Sequence, residues 1–366
     1  MNRPVSNEIT LMQYIFTING IQVGGSILVL PAELAKITST DGWISIMIAW
    51  AITTIISICV VQIMAKHPGD TLIEVLTRYV GKWLGRACML IWIAYSLLAI
   101  VVLLYFTVLV IQVWILPETS SVWLVFLLLI PTYMILRSGV RAIVRYGVFM
   151  FFFTLGMPIL LTIPIKDVHL VFLLPVLKDG WLPIFYGIKT TVLAFVGFEL
   201  AFLLYPYLKN KQHAVKGIVL ANTLTLIVYL HITLMCFLYF SPDEITKYLW
   251  PVLTLVKPIQ LPFLERFEII FLSFYIFIFS TSGIPYTWAA TSGISQLFNK
   301  KNWQLPIYIL LLLSFAFSFF YKPSYNGIAV LRNAWGWTAY FIAYTFPIVF
   351  LLYVTIYGYW KRRRYQ

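Results

Sequence analysis

A chain of 366 residues that is 61% hydrophobic and 11% charged, with a mean hydropathy of +0.90, is not a soluble enzyme or binding module, because no aqueous domain of this size needs so much apolar surface. Its formal charge of +13 does not indicate nucleic acid. The basic residues fall in short connections between apolar runs, where they read as topology signals and contacts to anionic lipid. Cys59, Cys88 and Cys236 lie inside apolar segments without metal-ligand spacing, so no disulfide framework, metal site or cofactor is expected.

Apolar runs of roughly 20 residues, the length that crosses a bilayer, recur along the whole chain and predict an all-α polytopic membrane protein. The N-terminus lacks a basic segment followed by a short apolar core and cleavage site, so no cleaved signal peptide is expected. The first span, about Ile9–Ile37, is interrupted by Asn19-Gly20-Ile21-Gln22-Val23-Gly24-Gly25-Ser26. Irregular backbone at membrane depth is tolerated only where it is buried in protein or lines a cavity. On a continuous helix Asn19, Gln22 and Ser26 would share one face; a small-residue packing face is the alternative reading. The second span covers Trp43–Ala65 and the third Ala87–Ile115, with Tyr95, Ser96 and Ala99 placed to face a cavity or to pack. The fourth and fifth are Trp123–Leu136 and Tyr146–Pro164.

The sixth span, Trp181–Leu208, contains the most informative stretch, Thr191–Pro206, with Gly197 and the carboxylate Glu199 at its centre. A charge in hydrocarbon costs about 2.5 to over 10 kcal/mol and is by default a functional candidate. If the helix unwinds near Phe195–Phe198, freed N–H groups at the start of its second half can hold an anion. Glu199 then either caps its own half-helix, pairs with another buried polar group, or serves a ligand or proton. Lys189 is shallow enough to snorkel to the interface. The seventh span is Ile218–Phe240, whose His231 reads as a hydrogen-bonded core residue. The loop from Ser241 to Glu268 is expected to carry a helix over the outer surface. The eighth, Ile269–Phe298, places Ser280-Thr281-Ser282-Gly283 before Pro285, as pocket lining or as donors to freed carbonyls. The ninth and tenth are Leu305–Tyr321 and Trp337–Trp360, with a kink expected at Pro347.

The interruptions fall in spans one and six. Dividing the ten spans after the fifth gives two five-span halves, inverted in the membrane, within a single integral membrane domain over 1–366 (repeat one about 9–165, repeat two about 181–360). Interrupted segments at corresponding places in two halves point to a mid-membrane site, here with spans three and eight as further walls. With both termini cytoplasmic, the inner segments carry Arg3, Lys66, Arg78, Lys82, Arg86, Arg137, Arg141, Arg145, Lys209, Lys211, Lys216, Lys300, Lys301 and the basic tail. These outnumber Lys36, Lys166, Lys178, Lys247, Lys257, Arg266, Lys322 and Arg332 outside.

Gly24-Gly25-Ser26 followed by Leu30-Pro31, Asp41-Gly42-Trp43, Gly81-Lys82-Trp83, Gly197-Phe198-Glu199, Trp250-Pro251 and Glu265-Arg266-Phe267-Glu268 occur in this order along nearly the whole chain. In this the sequence resembles the B subunits of bacterial spore germinant receptors, within the amino acid–polyamine–organocation transporter superfamily. The resemblance implies the discontinuous helices 1 and 6 of a LeuT-like fold. It implies a small germinant, commonly an amino acid, between spans one, three, six and eight, at Gly24, Ala99, Val196, Gly197 and Ser282, with Tyr95 and Glu199 nearby. It also implies an A-type subunit, a C-type lipoprotein subunit and the spore inner membrane. The expected function is therefore a nutrient sensor in which the unwound backbone at Gly24, Gly25 and Ser26 offers N–H groups to a ligand carboxylate. The alternative is a proton-coupled amino-acid transporter. An enzyme is not expected: the sequence has no HExxH, no paired intramembrane aspartates and no nucleophile elbow.

Overall fold

The computed structural model describes residues 8–163, 168–259, 266–298 and 304–364. Arg3, Lys166, Glu265, Lys300 and Lys301, used above for topology or resemblance, lie outside these residues. The helices in chain order are α1 (Leu11–Val23), α2 (Leu30–Thr38), α3 (Gly42–Ala65), α4 (Leu72–Val80), α5 (Lys82–Trp114), α6 (Ser121–Arg137), α7 (Val140–Thr154), α8 (Gly156–Leu160), α9 (Trp181–Ala194), α10 (Ala201–Leu204), α11 (Ala214–Tyr239), α12 (Pro242–Ile245), α13 (Pro251–Val256), α14 (Phe267–Leu297), α15 (Gln304–Phe317), α16 (Tyr325–Ala339) and α17 (Phe346–Arg364).

Local chemistry starts several of them. Thr10 and Gln13 form a reciprocal capping box at α1, with Thr10 N–H donating to Gln13 Oε1 at 2.9 Å and Gln13 N–H to Thr10 Oγ1 at 3.2 Å. Thr71 and Glu74 do the same at α4. Pro31 lies in the first turn of α2, where its missing N–H costs nothing.

Among the described residues, six helical segments are long and apolar enough to cross a membrane: Gly42–Ala65, Lys82–Trp114, Val140–Leu160, Lys211–Tyr239, Phe267–Leu297 and Tyr325–Trp360. A seventh is the bent pair Trp181–Ala194 and Phe198–Tyr207, turned by 43° at its break. The apolar helices α6 and α15 have 17 and 14 residues, about 25 and 21 Å at 1.5 Å per residue, short of a core about 30 Å thick. The first expected span is divided into α1 and α2.

At the centre, α1 packs on α7, α11 and α14, while α9 packs on α2 and α3 and α14 runs along α5. A parallel β-bridge between Ile9 and Leu208 ties the start of α1 to the end of the bent pair. It uses Ile9 N–H to the Tyr207 carbonyl at 2.9 Å and Lys209 N–H to the Ile9 carbonyl at 3.0 Å. The expected covering helix is α13, whose Val252, Leu253, Leu255 and Val256 are buried against α2, α11 and α14.

Several boundaries differ from the sequence reading, among them the third span, which starts at Lys82 rather than Ala87, and the fifth, which starts at Val140 rather than Tyr146; the largest difference is in the tenth. The last helical segment begins at Tyr325, not Trp337, with the Ser324 hydroxyl capping it through Gly327 N–H at 3.1 Å. Arg332 therefore lies on a helix, paired with Glu33, rather than in a loop. A π-helical turn, Tyr340–Thr345, precedes Pro347 and accommodates the missing proline N–H. Pro285, by contrast, is carried inside the continuous α14.

Candidate ligand site at the helix breaks

The first break begins at Gly24, whose backbone (φ −27°, ψ −109°) leaves the helical region before a 3₁₀ turn, Gly25–Leu28. Ending α1 at membrane depth frees carbonyls that no water can satisfy. Four carbonyls at this end are met by hydroxyls from neighbouring helices. On α14, Thr281 donates to the Gly20 carbonyl at 2.9 Å, Ser282 to Ile21 at 2.8 Å and Tyr275 to Gly24 at 2.9 Å. On α11, Tyr229 donates to Gln22 at 2.7 Å. The hydroxyls of Thr281 and Ser282 thus serve carbonyls freed in another helix. Gly24 is required by this contact, because a Cβ there would lie 2.0 Å from Ser282 Oγ.

The second break runs from Phe195 to Gly197. Gly197 has φ +127°, a conformation other residues rarely adopt, and a Cβ on it would lie 2.6 Å from Ile21 Cγ2. The Tyr229 hydroxyl lies 2.9 Å from the Ala194 carbonyl as well, so its one proton is shared between the two breaks, and Gln22 Nε2 donates to the Phe195 carbonyl at 2.9 Å. Glu199 is fully buried. Its Oε2 accepts the Gly197 N–H at 2.7 Å, while Oε1 accepts the hydroxyls of Tyr95 at 2.8 Å and Tyr286 at 2.6 Å. It both caps its own half-helix and binds two buried phenols, so both oxygens are engaged by protein.

Gln22 joins the two breaks to the rest of the core. Its Nε2 also donates to Asn222 Oδ1 at 2.8 Å, and its Oε1 accepts from Thr225 at 2.7 Å. Asn222 Nδ2 reaches Ser57 on α3 at 2.9 Å, and Asn19 Nδ2 reaches Thr225 at 2.9 Å. The polar face of α1 is therefore matched by α11, and a satisfied buried network of this kind fixes one register of the helices.

Between the breaks lies a cavity of about 30 Å³, bounded by Gly25, Ser26, Val196, Ser282, Tyr286 and, from α5, Val102, Leu103 and Phe106. That volume holds a water molecule, for which about 10–15 Å³ suffices, and is too small for an amino acid. Of the residues singled out in the sequence, Gly25, Ser26, Val196 and Ser282 line this space. Gly24 and Gly197 form the close contacts around it. Tyr95 and Glu199 reach it through Tyr286, which touches both. Ala99 is buried one turn before Val102 and Leu103 and is not among the lining residues. Sequence reasoning missed Tyr229, Tyr275, Tyr286, Asn222 and Arg332. Of the remaining sequence candidates, His231 Nε2 lies 2.8 Å from the Pro158 carbonyl, and Lys189 Nζ lies 4.6 Å from the centre of the Trp337 ring.

The profile of the spore germination protein family matches residues 8–326. The chain is 28% identical over 356 residues to spore germination protein GerQB of Bacillus cereus, covering 95% of this chain and 96% of that one. It is 29% identical over 372 residues to spore germination protein YndE of Bacillus subtilis (strain 168), covering 99% of each. Among solved structures it is similar to Mhp1, a nucleobase-cation-symport-1 family transporter, in a closed conformation with bromovinylhydantoin bound. The TM-score is 0.64 at 10% identity, over 92% of this chain and 76% of that one. A likeness at that identity is one of fold, and it makes this an all-helical membrane protein of LeuT-like architecture. The chain belongs to the spore germination protein family.

Proposed function

We propose that this chain is the membrane subunit of a spore germinant receptor and binds a small nutrient, an amino acid, between its two broken helices. The observation that carries the reading is the pairing of the breaks around one cavity. The second break is sealed by Glu199, whereas the turn at Gly25–Leu28 carries no side-chain cap and borders the space. Backbone N–H groups at Gly25 and Ser26 receive the ligand carboxylate. The Val196 carbonyl faces its ammonium, and Ser282 tunes the room available. Gly24, Gly197, Tyr95 and Glu199 hold the geometry.

In this reading α1–α2 and the bent pair count as spans one and six. With α6 and α15 included there are ten spans, in a five-plus-five inverted repeat with both termini cytoplasmic in the spore inner membrane. A cavity of about 30 Å³ must widen to admit an amino acid, so binding selects a more open state. The bias is limited by the ligand's differential affinity for the two states. An A-type subunit and a C-type lipoprotein subunit read that bias.

The test is binding of radiolabelled amino acids, nucleosides and sugars to the purified protein in nanodiscs. Saturable binding of one amino acid, lost in Gly25→Val, supports the site. Unchanged affinity in that variant argues against it. The fold likeness to a transporter and the intramembrane Glu199 favour one second reading, proton-coupled amino-acid transport. Uptake into proteoliposomes that follows a proton gradient and disappears in Glu199→Gln would establish it in place of pure sensing.

A further inference from the structure

A second, larger cavity of about 760 Å³ lies beside the small one, between α2, α9 and α16. The two share Ser26, Leu193, Ala194, Val196, Arg332 and Trp335 in their walls. The larger space carries Lys36, Lys189 and Arg332 against the single carboxylate of Glu33, a net positive charge of two when all four are ionised. Glu33 and Arg332 are paired, with side chains 30% and 35% exposed; Arg332 lines both cavities, and Glu33 lines the larger. Lys36 and Lys189 have no place in the network around the breaks. Cations lining a concave wall focus field and raise the local concentration of anions. The aromatic wall at Trp335 and Trp337 suits the apolar part of a small molecule.

We infer that this vestibule is an outer binding site for a small carboxylate-bearing molecule, in which the ligand carboxylate competes with Glu33 for Arg332. The inference deepens the reading above and rests on it for the destination of the ligand. Occupying the vestibule draws Arg332 off Glu33 and loosens the contact between α2 and α16 that separates the two spaces. The guanidinium is suited to this exchange because it binds one carboxylate as readily as another, in the same forked geometry. Lys189 adds a charge that is already held close to the Trp337 ring, at 4.6 Å, and Lys36 adds one on the facing helix.

The probe is the nitroxide TEMPO-4-carboxylate, which quenches tryptophan fluorescence on contact, with its neutral carboxamide as control. The full chain is held in phosphatidylcholine nanodiscs. The expected result is a saturable quenching component for the carboxylate alone, reduced in Trp337→Phe. Lys36→Gln and Lys189→Gln, both at exposed positions, each weaken it roughly two- to fivefold. Arg332→Gln weakens it about tenfold or more. The exchanged pair Glu33→Arg/Arg332→Glu keeps the ion pair and gives a folded control. Gly25→Val leaves the quenching unchanged, so failure of the inner site and failure of the vestibule are separable. Equal quenching by carboxylate and carboxamide overturns the inference, as does indifference to all three cation substitutions in folded protein. Loss of the signal on changing to phosphatidylglycerol nanodiscs also overturns it, since a lipid headgroup then fills the space.

Discussion

Replacing Gly24 by alanine puts a methyl carbon 2.0 Å from Ser282 Oγ and 2.8 Å from Ser282 Cβ. Neither distance is tolerable, so the serine rotates away or α1 and α14 separate. Rotation abandons the bond from Ser282 to the Ile21 carbonyl, and a buried acceptor without a partner costs about 1–3 kcal/mol. Separation costs about 1–3 kcal/mol of packing. A loss of about 1–3 kcal/mol is expected by either route, read as a lowered midpoint of thermal unfolding in nanodiscs. At the adjacent Gly25 a Cβ meets Leu103, Phe106 and Phe279 at ordinary contact distances of 3.5–3.7 Å. Gly25→Ala should therefore fall within about 1 kcal/mol of the parent, on either side. Ser282→Gly removes the colliding atoms at the cost of the hydroxyl and about 1 kcal/mol of helix propensity. In that background Gly24→Ala should add little further loss. The reasoning is refuted if Gly24→Ala and Gly25→Ala are equally harmful, or if Gly24→Ala costs the same with and without Ser282.

Glu199→Gln replaces an acceptor-only group that meets three donors by one with an N–H₂ facing at least one of them. We expect a loss of about 1–3 kcal/mol; Tyr286→Phe should cost less, and a Glu199→Gln protein as heat-stable as the parent would contradict the capping role. Asn222→Leu removes the group that joins Gln22 to Ser57 and is expected to cost about 1–3 kcal/mol, whereas Thr223→Val, whose hydroxyl bonds only within its own helix, should cost less by the same unfolding assay. His67, in the connection after α3, lies 2.9 Å from the Tyr79 hydroxyl. Burial first, and Arg78 second, hold its imidazole below the ordinary 6.5. A folded-state value below the unfolded one favours the neutral ring in the fold, so its stabilisation is present above pH 6.5 and is lost as pH falls from there through the lower folded-state value. His67→Gln should flatten the acid limb of the stability–pH curve, and an unchanged limb would contradict this assignment.

The breaks were legible because glycine pairs and a carboxylate inside apolar runs demand compensation that a continuous helix cannot give. Gly24-Gly25 and Gly197-Phe198-Glu199 carry that message without coordinates, as does the polar face formed by Asn19 and Gln22. What compensates them was not legible. Tyr229, Tyr275 and Tyr286 are three of 23 tyrosines in segments apolar on all sides, where helical periodicity does not say which face meets a break. Asn222 is a single amide in a 26-residue helix, and its partners on α1 and α3 lie 165 or more positions away. Arg332 reads as an outer-loop charge once the last span is taken to start at Trp337; its partner Glu33 is 299 positions distant. The divided first span illustrates the same limit. Its total length suits a membrane crossing, but only tertiary hydrogen bonds from α11 and α14 permit the interruption.

The most direct measurement is a cryo-electron microscopy structure of the protein in nanodiscs with the triggering nutrient present. The account predicts nutrient density against Gly25, Ser26, Val196 and Ser282, in a space larger than the present 30 Å³, with both helices still broken. Nutrient density elsewhere, or unbroken helical hydrogen bonding through Gly24 and Gly197, would contradict it.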